Sequence, residues 1–187
     1  MTTRKDLNEY KWDEFFKEFQ DETPRAAVII SGAFLDALLR DLLASFMVDN
    51  PKAVNELLGS EKDAEKPLGT FGGRISAAYC LGLISPHECH DLKIIKKIRN
   101  KFAHKFHGYA FDDPEIVTLC DLLKTPSILG RTSTSGDQSH RRKYLSTIAL
   151  LVNQLGVRIL SIQHNRRMIM KDVEVLQVVI TGKEKDK

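Results

Sequence analysis

Four of the six prolines directly follow a residue that commonly caps a helix. Proline is tolerated at the first helical position because its missing N–H would be unpaired there in any case. The side chains of Ser, Thr, Asp and Asn accept hydrogen bonds from the N–H groups of the first turn. The four pairs are Thr23-Pro24, Asn50-Pro51, Ser85-Pro86 and Asp113-Pro114. Local chemistry therefore marks four helix starts independently of hydrophobicity.

Apolar residues recur with a helical period between these starts, and no convincing strand precedes residue 170. We therefore predict an all-α fold, a single-domain helical bundle over residues 1–169 with about seven helices. A C-terminal tail, 170–187, is expected to be partly disordered. The predicted helices are 6–20, 24–48, 51–58, 70–84, 86–106, 114–124 and 139–167, and the second of them is expected to be central.

Composition favours a cytoplasmic protein. The polar N-terminus lacks the apolar segment of a signal peptide, and no uninterrupted apolar run reaches the ~18 residues that span a membrane. Three cysteines make a disulfide framework improbable. His87, Cys89 and His90 lie on one helical turn and cannot all face one ion, so we expect no metal and no cofactor. A net charge of +3 does not by itself indicate a nucleic-acid-binding protein.

The predicted helix 86–106 has two distinct faces when its residues are placed at about 100° intervals. Its apolar arc contains Ile94, Ile95, Ile98, Phe102 and Phe106, and its polar arc contains Lys93, Lys96, Lys97, Asn100, Lys101 and His104. Arg99 falls on the apolar side, where a cation needs a partner. Asp36 is the lone ionisable residue in Ala26–Leu39, the most apolar stretch, so we predict an Asp36–Arg99 ion pair. The alternative is that Arg99 reaches the edge of the bundle.

The segment Arg99-Asn100-Lys101-Phe102-Ala103-His104 resembles the R-x4-6-H motif of the HEPN superfamily. This resemblance implies a small helical bundle, often dimeric, that in many members is a metal-independent ribonuclease. By the same resemblance Arg99 would hold a phosphate, Asn100 would orient the reacting groups and His104 would transfer a proton. Lys93, Lys97, Lys101 and Lys105 would attract the nucleic-acid backbone.

The spacing of the motif favours a homodimer. In a regular helix Arg99 and His104 point about 140° apart, so one copy makes a poor site. A symmetric pair of helices could bring both residues from each chain into a shared cleft.

A longer resemblance, over roughly residues 24–123, is to the mannitol operon repressor family. It rests on Pro67-Leu68-Gly69-Thr70-Phe71, Arg74-Ile75, Ala78-Tyr79, Leu81-Gly82-Leu83-Ile84-Ser85 and Ala110-Phe111-Asp112-Asp113-Pro114-Glu115-Ile116. The resemblance implies a regulatory protein that represses transcription through a protein partner or nucleic acid. Members of that family often lack a complete Arg-Asn…His motif, whereas this chain has it whole. Three functions therefore remain open: a regulator, which we favour; an endoribonuclease, such as a toxin or defence component; and an assembly module.

Overall fold

The computed structural model describes residues 22–59, 65–104, 108–124, 139–163 and 167–169. Helices account for 75% of these residues, and no strand occurs among them, so the predicted all-α fold is confirmed. The described helices are α1 Pro24–Phe46, α2 Pro51–Leu58, α3 Phe71–Cys80, α4 Pro86–His104, α5 Pro114–Asp121 and α6 His140–Gln163. The helix predicted at 6–20, the tail 170–187 and Lys105 lie outside the described residues.

α1, α2, α4 and α5 each begin at the predicted proline. Asp113 makes no side-chain cap bond to α5 and instead accepts a hydrogen bond from the Ala110 N–H at 2.9 Å. The Thr23 hydroxyl accepts a hydrogen bond from the Ala26 N–H at 3.2 Å. The Asn50 side-chain oxygen does the same for the Ala53 N–H, also at 3.2 Å. These bonds satisfy N–H groups that have no partner within the helix.

The end of α3 differs from the prediction. The helix was expected to reach residue 84, but it ends at Cys80. Gly82 has φ +70°, a left-handed conformation that glycine adopts without steric cost. The Leu83 N–H then bonds back to the Ala78 carbonyl at 2.8 Å, which closes the helix. Leu83 and Ile84 are buried although they follow the end of the helix. The apolar pattern of the sequence therefore extends past the helix, which is why the predicted end was too late.

The core forms around α1, which packs against α2, α3, α4 and α6. Its buried side chains include Leu35, Leu39 and Leu42, each with no exposed area. The prediction that this helix is central is confirmed. α6 runs beside it, and the Ser31 and Tyr144 hydroxyls are hydrogen-bonded at 2.9 Å between the two helices.

α6 is also the one helix in the described part of the chain that is long and apolar enough to cross a membrane. Such length and composition are weak evidence for a span, because central helices of soluble bundles share them. Leu151, Val152 and Leu155 of α6 have no exposed area and belong to the common core. Packing in the common core therefore accounts for these apolar residues of α6.

Candidate functional site

α4 carries the Arg-Asn…His motif, and its first turn is fixed by a reciprocal capping box. The Glu88 N–H donates to the Ser85 hydroxyl at 3.2 Å, and the Ser85 N–H donates to the Glu88 carboxylate at 2.6 Å. Arg158 of α6 donates to the same carboxylate at 3.0 Å. The start of α4 is thus held both by its own cap and by α6.

Asp91 makes a second attachment one turn further along α4. Its carboxylate has no exposed area and accepts hydrogen bonds from the Lys124 N–H at 3.0 and 3.2 Å. Ile95, Ile98 and Phe102 of the same helix are fully buried. The predicted apolar arc therefore faces the core, and the opposite arc is fixed in its orientation to solvent.

The solvent face of α4 bears the polar residues of the motif. Lys93, Lys97, Asn100 and His104 are exposed and follow one another at three- or four-residue intervals. This spacing places them along one side of the helix. The structure therefore aligns four of the residues that the sequence assigned to a nucleic-acid or catalytic site.

Lys101 differs from the other lysines because its charge is engaged. Its ammonium group pairs with the Glu115 carboxylate of α5, which also accepts a hydrogen bond from the Tyr109 hydroxyl at 3.0 Å. The hydrogen bond that Lys101 donates to Glu115 raises the pKa of Lys101 above its usual value. Lys101 is thus less available to an external anion than its sequence neighbours.

Arg99 lies in the interface between α4 and α1. Its aliphatic stem is so close to Gly32 that a Cβ at position 32 would stand 2.9 Å from the Arg99 Cγ. Its Nε is buried, and no acceptor in the described part of the chain contacts it. Nothing in that part forms an ion pair with its guanidinium group.

The predicted ion pair between Asp36 and Arg99 is wrong. Asp36 does form an ion pair, but its partner is Arg74 of α3. The Arg74 Nη1 and the Asp36 Oδ1 are 2.7 Å apart. Arg74 is 2% exposed, and its other nitrogens donate to the Leu68 and Leu58 carbonyls, each at 3.0 Å. A buried arginine is stable when its charge is paired and each of its nitrogens donates a hydrogen bond, as here.

Sequence reasoning missed the role of Arg74, although a signal was present. Arg74 is the only charged residue between Lys66 and Glu88, so it stands in the same apolar isolation that drew attention to Asp36. These two isolated charges, Asp36 and Arg74, form an ion pair with each other. Arg74 ties α3 to α1 and to the end of α2, and it contributes to the scaffold rather than to the α4 surface.

The C-terminal end of α4 lies beside the start of α1. The Arg25 guanidinium donates to the Ala103 carbonyl at 3.4 Å, where a helix favours a cation. The Arg25–Ala103 and Gly32–Arg99 contacts show that α1 and α4 are antiparallel. Arg99 therefore points towards α1, while His104 is exposed at the end of α4. A single chain does not direct both side chains into one cleft.

The cysteines and the His87–His90 turn do not form a metal centre within the described residues. His87 is exposed, Cys89 is buried, and the His90 ring bonds to the Leu122 carbonyl at 3.0 Å. Burial raises the pKa of the Cys120 thiol to about 12, so this cysteine is not a thiolate at neutral pH.

Comparisons with known proteins identify the family of the chain. A search of the curated proteins finds no match. Among solved structures, the chain is similar to one reported as the X-ray structure of the MtlR–HPr complex from Escherichia coli. The match has a TM-score of 0.53 and 21% identity, and covers 81% of this chain and 98% of that one. At this identity the likeness shows a shared fold. The family model of the mannitol repressor, MtlR, matches residues 14–179. Because this match spans most of the 187 residues, the chain belongs to the mannitol repressor family.

Proposed function

We propose that the chain is a cytoplasmic regulator that represses transcription of mannitol genes by contact with a protein partner. The observation that carries this proposal is the family match over residues 14–179. The similar structure is described as a complex of MtlR with HPr. It suggests that the proposed partner of this chain is the HPr protein of the organism that makes the chain.

The arrangement of α4 supports contact with a protein over direct reading of an operator. A recognition helix must enter the major groove with its side chains free to reach base edges. α4 carries five Lys and Arg residues, more than any other described helix, and one of its faces is buried against α1, α3 and α5. Its Ile94, Ile95, Ile98 and Phe102 belong to the core. The exposed face of α4 is available to a partner, whereas the sequence offers no helix-turn-helix whose second helix is short and polar enough to lie in the major groove.

Isothermal titration of the full chain with the proposed partner tests this proposal. We expect saturable binding with a single stoichiometry, and unrelated small proteins of similar charge should give no heat. A reporter fused to the mannitol promoter should be repressed when the chain is expressed. Normal reporter activity together with no detectable binding would rule the proposal out.

A second candidate function is a metal-independent endoribonuclease, and one observation favours it specifically. The buried Nε of Arg99 has no acceptor in the described part of the chain, while Asn100 and His104 are exposed on the same helix. In this mechanism His104 would move the proton of the ribose 2′-hydroxyl, and Arg99 would bind the phosphate. Asn100 would orient the reacting groups.

This second function requires a homodimer, because Arg99 and His104 diverge in one chain. We propose a two-fold pair that brings the α4 ends of both copies together. Sedimentation at tens of micromolar should give the mass of two chains. A monomer at that concentration would exclude the shared cleft and the ribonuclease with it.

The cleavage itself is tested on a broad panel of RNAs in the presence of a chelator. If the ribonuclease exists, cleavage should persist without metal and stop when the scissile nucleotide is 2′-deoxy. His104→Ala should slow it by a factor of about 10²–10⁴. His87→Ala, which removes another exposed histidine of α4, is the matched control. Intact RNA with wild-type protein would exclude this candidate and leave the regulator.

A further inference from the structure

The hairpin of α3 and α4 carries an uneven distribution of charge. Between residues 71 and 104 the sequence has six Lys and Arg residues against two carboxylates. This excess is larger than the net charge of +3 for the whole chain. Both carboxylates, Glu88 and Asp91, are buried, with 5% and 0% exposure. The solvent face of this hairpin therefore presents cations and no acidic side chain.

Three of these cations are available to an external anion. Lys93 and Lys97 are exposed, and Lys96 is half-buried against α3, where its Nζ lies 2.8 Å from the position of a Cβ on Gly72. Within the described ranges, none of the three forms an ion pair or a hydrogen bond through its side chain. We call Lys93, Lys96 and Lys97 the hairpin lysines.

An exposed aromatic ring lies on the same hairpin. Tyr79 of α3 is 44% exposed. It follows Gly72 by seven residues, nearly two helical turns, so both residues lie on one side of α3. Because α3 and α4 are joined by the short turn 81–85, the contact between Gly72 and Lys96 fixes their relative position. At a rise of about 1.5 Å per residue, Tyr79 lies about 10 Å from that contact towards the turn and Lys93 about 4–5 Å, so the ring stands about 6 Å beyond the lysine along the hairpin.

We propose that this face binds single-stranded nucleic acid, with the hairpin lysines on its phosphates and Tyr79 stacked on a base. Proteins that bind single strands combine a positively charged surface with exposed aromatic rings in this way. The proposal goes beyond the regulatory function and requires no cleavage by His104. An acidic protein surface is the competing occupant of the same cations, and competition with a polyanionic peptide distinguishes the two.

Fluorescence anisotropy with a labelled oligothymidylate of about 20 nucleotides, longer than a typical single-domain site, tests the proposal. This probe has no 2′-hydroxyl, so binding is separated from any ribonuclease activity. For single strands the slope of log affinity against log salt is about −0.7 for each phosphate neutralised. The double variant Lys93→Gln/Lys97→Gln should therefore bind more weakly with a slope shallower by about 1.4. Tyr79→Leu should weaken binding about fivefold or more.

The matched control is Lys52→Gln/Lys66→Gln, which removes two exposed lysines elsewhere and should retain the wild-type slope. Equal thermal melting of all variants will show that each is folded. The proposal fails if wild type does not bind at about 0.1 mM, the weak end of non-specific affinities. It also fails if Lys93→Gln/Lys97→Gln and Lys52→Gln/Lys66→Gln reduce the slope of log affinity against log salt by the same amount. Displacement of the probe by polyglutamate as readily as by unlabelled oligothymidylate would assign the face to an acidic protein instead.

Discussion

At the scale of single residues, the two arginines in apolar surroundings have opposite environments. Arg74 is almost fully buried, and each of its nitrogens has an acceptor. Arg99 packs its stem on Gly32 and leaves its Nε without one. A helical wheel gives the direction of a side chain on its own helix, but not which neighbouring helix supplies the partner. The sequence therefore identified Asp36 as paired and assigned it the wrong arginine.

Arg74→Met should destabilise the protein by about 3–5 kcal/mol, because it removes the buried cation that binds Asp36 and two backbone carbonyls. Arg99→Met, which removes a guanidinium with no partner in the described part of the chain, should cost much less. A double-mutant cycle of chemical denaturation with Asp36→Asn should show coupling to Arg74 and none to Arg99. A result in which Asp36 is coupled to Arg99 and not to Arg74 would contradict the assignment of the ion pair to Arg74.

Tyr144 should make the protein sensitive to alkaline pH. Burial raises the pKa of Tyr144 above its usual value of about 10. Above pH 10 the unfolded chain therefore loses this proton before the folded chain does, and the free energy of unfolding falls as pH rises. Tyr144→Phe should cost about 1 kcal/mol at pH 7 through the lost Ser31 hydrogen bond.

The same variant should show a shallower decline in stability between pH 10 and 11, measured by urea denaturation. Wild type at neutral pH provides the reference. Parallel declines in the two proteins would mean that Tyr144 does not set the alkaline response.

At the scale of the helices, the sequence predicted starts better than ends. A start is determined by local chemistry, such as the Ser85–Glu88 box, which a sequence displays directly. An end depends on where the chain must turn to reach the core. Leu83 and Ile84 are buried after α3 has ended, so hydrophobicity alone cannot separate helix from turn there.

The capping box gives a direct test of this local control. Ser85→Ala should reduce the free energy of unfolding by about 0.5–2 kcal/mol, because it leaves the Glu88 N–H without its acceptor. Ser76→Ala on the exposed side of α3 is the matched control and should change little. Equal losses in the two variants, measured by thermal denaturation, would contradict the role of the cap.

The approach of α4 to α1 depends on the absence of a side chain at Gly32. Alanine normally stabilises a helix interior by roughly 0.5–1 kcal/mol over glycine. Here the added methyl group would stand 2.9 Å from the Arg99 Cγ, so Gly32→Ala should destabilise the protein.

Removing the Arg99 side chain should reverse the sign of this effect on stability. In an Arg99→Ala background, Gly32→Ala should become neutral or stabilising when unfolding is followed by thermal denaturation. Destabilisation of the same size in both backgrounds would show that something other than Arg99 restricts position 32.

At the scale of the whole molecule, the sequence predicted the all-α fold and the family, and the structure and the family match confirm both. It also predicted a single domain over residues 1–169 and a shared site between two copies, and these stay predictions. The exposed alignment of Lys93, Asn100 and His104 followed from helical periodicity. The neutralisation of Lys101 by Glu115 did not, because it depends on how α5 packs against α4.

The regulatory account rests on contact with another protein, and the most direct test is calorimetric titration of the full chain with the proposed partner. The account predicts a saturable complex with a single stoichiometry, which unrelated small proteins of similar charge do not form. Absence of binding up to about 0.1 mM, well above the range of specific regulatory complexes, would contradict it.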